Sequence, residues 1–161
     1  MERILSVTVF ITALLIQESL VVIIGALLVQ AFIPEDYVGD DMERLNFYKK
    51  LLNSGEAELD GVLKGFEDIS GPAPEPRQNL VEIIRLKKKL AKKAVRAVTQ
   101  RGTDLEFFFL PGAPVPPKAI AGWSRAFGAR LSFLPSKAGD GLRVKLAERP
   151  LEVIEQMLKA F

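Results

Sequence analysis

Cysteine and histidine are both absent from the 161 residues. Without cysteine there is no disulfide, no thiolate nucleophile and no metal–thiolate centre. Without histidine the side chain that most readily exchanges a proton near neutral pH is gone, and with it the commonest zinc ligand. Phosphate-cradling glycine loops are missing too: neither G-x-G-x-x-G nor G-x-x-x-x-G-K-[ST] occurs. The acids do not follow the twelve-residue calcium-loop pattern. Carboxylate pairs can catalyse when a dry pocket tunes them, but here the acids crowd onto what read as solvated helix faces. No local signature supports a Ser–Lys dyad. The expected catalytic, cofactor and metal residues are therefore none, and a non-enzymatic role is favoured.

Charge is present in quantity but segregated. The 22 Lys+Arg nearly balance the 20 Asp+Glu. Residues 1–33 hold only Glu2, Arg3 and Glu18; residues 34–76 carry a net −7; residues 77–101 carry a net +8; and 102–161 is close to neutral. Local fields decide which partners are attracted, so the acidic and basic blocks say more than the total.

From Ile4 to Ile33 the only charge is Glu18. Thirty helical residues would reach about 45 Å against a hydrocarbon core of about 30 Å. Between Val9 and Val29 lie 14 Leu, Ile, Val or Phe residues, contributing about 4–8 kcal/mol toward insertion. One central acid opposes this with about 2.5–3.5 kcal/mol. A single-pass membrane helix over residues 1–33, contacting lipid through 4–33, is the expectation. Gln17, Glu18 and Ser19 would form a polar packing site inside it. Two competitors are a cleaved leader, for which the run is too long, and burial in protein, either as one fully buried helix or as a pair of short elements broken at Gln17-Glu18-Ser19, for which Val7–Ile11 and Leu20–Ile24 are β-branched enough. Arg3 favours an inward N-terminus, the distant basic block favours the reverse, and the side of the C-terminal domain stays undetermined.

Pro34 closes the apolar run. Asp40 and Glu43 have capping-box spacing, and Met42, Leu45, Tyr48, Leu51 and Leu52 follow at helical intervals up to Asn53-Ser54-Gly55. A second helix over 56–68 completes an acidic helical hairpin spanning 34–70. Gly71-Pro72-Ala73-Pro74-Glu75-Pro76 reads as a stiff linker. Beyond it, Asn79 is the expected cap of a basic helix running to Gly102, with Arg85, Lys88, Lys89, Lys92, Lys93 and Arg96 opposite its apolar side. Those six are the candidate binding residues. They could meet phosphate, an anionic membrane surface or the acidic hairpin itself.

The last sixty residues read as strand 104–110, helix from Pro116-Pro117 to Gly128, a hairpin of 130–135 with 142–147, and a helix from Pro150. The order β-α-β-β-α resembles part of a ferredoxin-like layer. Phe107, Phe108, Phe109, Trp123 and Phe133 fit core positions better than a base-stacking platform. The fold class is thus α+β: an apolar N-terminal helix, an acidic hairpin, a basic helix and the small domain, the last two together occupying 77–161. The leading functional expectation is a membrane-anchored accessory or assembly subunit with protein subunits as partners. The alternative is a soluble, oligomeric nucleic-acid-binding protein using the basic helix 80–100.

Overall fold

The computed structural model describes residues 23–25, 30–134 and 140–161. They divide into two compact units between Arg85 and Leu86, the first holding residues 30–85 and the second the remainder. That division falls inside a helix, not in the Pro-rich stretch 71–76.

In the first unit Asp40 does cap α1 (Asp41–Asn53): its Oδ1 accepts the Glu43 N–H at 2.8 Å. The Ser54 hydroxyl donates to the Lys50 carbonyl at the other end. Helix α2 (Glu56–Ser70) begins with Glu58 reaching back to the Gly55 N–H. Phe47, Tyr48 and Leu51 of α1 and Leu59 and Phe66 of α2 are buried, and the Phe47 ring meets that of Phe66. Helix α3 (Glu75–Ala91) opens inside the expected linker, because proline is tolerated in a first turn whose N–H groups have no helical acceptor. Asn79 is therefore not a cap. Its side chain donates to the Gln30 carbonyl at 2.9 Å. Arg77 is buried and holds Glu67 and the Leu63 carbonyl with its two terminal nitrogens.

The second unit is a sheet with helices. Its strands are β1 (Ile23–Gly25), β2 (Val95–Arg101), β3 (Asp104–Phe109), β4 (Leu131–Leu134) and β5 (Gly141–Lys145), in the order β1-β2-β3-β5-β4. Every pair is antiparallel except β1 with β2, which is parallel. Strands β3 and β4, linked through α4 (Pro117–Phe127), run parallel with β5 inserted between them, a split β-α-β unit. Leu105, Phe107 and Phe109 alternate onto one face, matched across the ladder by Val144 and Leu142. Trp123 of α4 and Met157 of α5 (Pro150–Lys159) are buried, and the indole N–H donates to the Met157 carbonyl at 2.9 Å.

Two sequence expectations are corrected here. The apolar run is not one spanning helix over 4–33: Ile23, Ile24 and Gly25 pair with Ala97, Val98 and Thr99 of β2. Backbone groups engaged in a strand ladder cannot also close the i→i−4 bonds of a helix. Residues 30–33 are not helical either, and Ile33 is buried with its N–H donated to the Tyr48 hydroxyl at 2.8 Å. The Gln17, Glu18 and Ser19 packing site lies outside the described residues. Nor does the basic helix run through 80–100. It ends at Ala91, and Val95–Arg101 is a strand.

Candidate binding surface

Six cations gather at the junction between α3 and β2. Lys87, Lys88 and Lys89 occupy the last turns of α3, where cations complement the helix's negative carboxyl end. The chain then turns through Lys92, Lys93 and Ala94. Lys93 donates its backbone N–H to the Leu90 carbonyl at 2.9 Å, and Ala94 takes a left-handed φ of 55°. Returning from β3, the Leu110 N–H donates to the Ala94 carbonyl at 2.9 Å and fixes the turn to the sheet.

Strand β2 enters that sheet through a bulge. Val95 faces Phe109 and Ala97 faces Phe108, so Arg96 is the extra residue of the ladder. The bulge lets Val95 and Val98, three positions apart, both be buried on the face that holds Phe107 and Phe109. Arg96 is left exposed.

Of the six residues named from sequence, Arg85 belongs to the first unit, where it pairs with Asp60 of α2. The other five fall within the second unit at this junction, though on a helix end, a turn and a strand, not along one helical face. Lys89, Lys92, Lys93 and Arg96 are exposed and Lys88 is half-buried. The Lys93 ammonium lies 5.5 Å from the centre of the Phe161 ring. Burial lowers the pKa of the neighbouring Lys87 from its ordinary value. Lys88 and Lys92 also have polar interactions of their own.

A second polar cluster escaped the sequence reading. Glu106, buried in the middle of an aromatic strand, accepts from Arg143 Nη2 at 2.7 Å and Nε at 3.1 Å, and pairs with Arg101 Nε at 3.3 Å. The available signal was an acid set between Leu105 and Phe107, with a basic residue in the following hairpin. A cleft of about 340 Å³ lies between α4 and the β4–β5 hairpin, lined chiefly by Phe109, Ile120, Trp123, Phe133 and Leu142. None of the junction cations lines it. Among the described residues no group of three or more acids could hold a metal ion.

Fold and surface together define an α+β module with a basic corner. Residues 27–120 match the TRCF domain, and the chain belongs to the TRCF domain family. It is 30% identical over 80 residues to the transcription-repair-coupling factor of Escherichia coli (strain K12), an alignment covering 48% of this chain and 7% of that protein. The fold is similar to the solved C-terminal domain of a transcription-repair coupling factor, with a TM-score of 0.71 over 83% of this chain and 86% of that one, at 18% identity.

These relationships overturn the reading as a single-pass, membrane-anchored accessory subunit. The family match begins at residue 27, inside the supposed span, so the end of the apolar run belongs to the domain. Ile23–Gly25 and Ile33 are engaged by protein, which removes the reason for naming lipid as a partner through those residues. Among the described residues no helix is long and apolar enough to cross a membrane.

Proposed function

We propose that this chain is a non-catalytic binding module serving transcription-coupled DNA repair, and that it engages nucleic acid through the basic corner at the α3–β2 junction. The observation that carries the reading is the convergence of Lys88, Lys89, Lys92, Lys93 and Arg96 on one junction of the second unit. The name of the Escherichia coli relative supports the process. Positive side chains near phosphates release condensed counterions, and that electrostatic gain supplies essentially all of non-specific nucleic-acid affinity. Arg85 is left out of the surface because it belongs to the first unit, on the other side of the division from the junction residues.

Fluorescence anisotropy with a labelled DNA duplex tests this directly. The full chain binds at about 50 mM salt and loses affinity steeply by about 200 mM. The combined substitutions Lys89→Glu and Arg96→Glu abolish binding while the circular dichroism spectrum is retained. Failure of the wild-type chain to bind at the lower salt concentration refutes the proposal.

A further inference from the structure

We propose that the sheet edge at β4 is a docking site for an extended segment of a partner protein, apolar at alternate positions and carrying one basic residue. The ladder sets Phe107, Leu142 and Phe133 side by side across β3, β5 and β4. Phe107 and Leu142 are buried, whereas Phe133, the last of the row, is 57% exposed. On the same face Trp123 of α4 stacks on Phe109 of β3, their ring centres 5.9 Å apart. The cleft of about 340 Å³ opens between that helix and the uncovered Phe133. Its volume falls within the range of protein ligand pockets, about 300–1,000 Å³.

The backbone beside the cleft suits an extended occupant. Among the described strands β4 ends the order and pairs with β5, and Ser132 and Phe133 are both exposed. An edge strand presents a row of N–H and C=O groups outward, and Leu131–Leu134 holds neither charge nor proline, two of the usual guards against pairing. A segment added there gains main-chain hydrogen bonds, while its alternate side chains turn toward the face that bears the cleft. Asp140 sets the charge of the occupant, being the charged residue among the cleft's described lining. Its carbonyl accepts the Phe109 N–H at 3.1 Å, which ties its backbone to the sheet while the residue stays exposed. A second copy pairing through its own β4 matches less well. Leu131–Leu134 is uncharged, and the preceding Arg130 already holds Glu148 at 2.7 Å. The site is separate from the proposed nucleic-acid surface, since β3 and β5 lie between β4 and β2, roughly 14 Å at normal strand spacing.

A random peptide library selected on the full chain, with counter-selection on Phe133→Ser, tests the site. Phe133 is exposed, so the variant keeps the wild-type circular dichroism spectrum. The enriched peptides alternate apolar residues and include a lysine or arginine. In titrations with one of them, Phe133→Ser weakens binding by about tenfold. Asp140→Asn weakens it by about twofold to fivefold, and that effect vanishes once the peptide's basic residue is replaced by glutamine. Methylating one alternate set of the peptide's backbone N–H groups abolishes binding, and the bound peptide slows hydrogen exchange in β4. The proposal is overturned if no peptide is enriched over the variant, if the enriched peptides are acidic or helically spaced, or if affinity ignores Asp140 or backbone methylation. A concentration-dependent dimer that Phe133→Ser disperses also overturns it, because the edge then belongs to a second copy.

Discussion

Replacing Tyr48 by phenylalanine isolates the bond that holds the end of the apolar run in the first unit. The Ile33 N–H donates to the Tyr48 hydroxyl at 2.8 Å, and both residues are buried. Tyr48→Phe keeps the ring and its packing but leaves a buried donor unsatisfied, which costs about 1–2 kcal/mol. For a denaturant slope of about 2 kcal/mol per molar, the urea midpoint of that transition falls by about 0.5–1 M. Exchange of the Ile33 amide accelerates about fivefold to thirtyfold, because the same free energy governs its local opening. A pH series adds a second readout. Burial raises the Tyr48 pKa above 10.0, with the Ile33 bond and Arg44 partly opposing it. Below pH 10 the phenol is protonated in both states and contributes no slope. As pH rises from 10.0 toward the folded value, the unfolded chain ionises first and the wild type loses stability. The variant lacks that loss, so the gap between the two proteins narrows. Lys87, whose lowered pKa acts with the opposite sign near pH 10.5, is common to both and cancels. An unchanged midpoint, together with unchanged Ile33 exchange, would refute the assignment of this segment to the first unit's core.

Further substitutions probe the second unit and α2. Glu106→Leu removes the acceptor of both arginines; since Arg143 and Arg101 are 41% and 77% exposed and can rehydrate, the loss is about 1–2 kcal/mol, below that for breaking a fully buried pair. A double-mutant cycle with Arg143→Met measures their coupling, and none would place the cluster among ornamental surface pairs. At Gly122 an added Cβ would lie 2.8 Å from the Ala160 Cβ, so Gly122→Ala forces α4 and α5 apart, whereas a Cβ at Gly61 meets nothing within 4 Å. Thermal melts should show Gly61→Ala stabilising by about 1 kcal/mol and Gly122→Ala destabilising by up to about 2 kcal/mol once overpacking is set against helix propensity; equal effects would contradict the close approach. Ala94→Gly relieves a left-handed alanine at the basic corner and stabilises by about 0.5–1 kcal/mol in chemical denaturation, while a loss of stability would argue against that turn.

Local chemistry was legible wherever it acted over a few residues. Asp40 and Glu43 announced the start of α1, and Pro117 and Pro150 sit at the openings of α4 and α5. The hairpin of β4 with β5 followed from alternation about a glycine-rich turn. The basic segment misled for a definable reason. Leu90, Ala94, Val95 and Val98 have the three- and four-residue spacing of a helix stripe, and a regular strand would put Val95 and Val98 on opposite faces. The bulge at Arg96 adds one residue to β2 and restores a common face. An extra residue in a ladder depends on the partner strand β3, and nothing local to 90–98 encodes it.

The apolar N-terminal run shows the same limit from the side of energetics. Hydropathy establishes that residues avoid water, and it does not distinguish lipid from a protein interior. What tips the balance is the backbone: a spanning helix satisfies its own hydrogen bonds, whereas a strand needs a neighbour. Strand β2 supplies that neighbour for Ile23–Gly25, and Pro76 and Tyr48 supply acceptors for the N–H groups of Phe32 and Ile33. Those partners lie well over a dozen positions along the chain, beyond any window of local pattern. The segregation of charge survived the rearrangement because it needs no register. Arg77 and Arg85 meet Glu67 and Asp60 inside the first unit. The lysines and arginine from Lys87 to Arg96 belong to the second unit, where the junction of α3 with β2 gathers them. A block that looked uniform in sequence is thus divided by the fold into a part that ties α3 to its own acids and a part presented at a corner, and the proposed function attaches to the second.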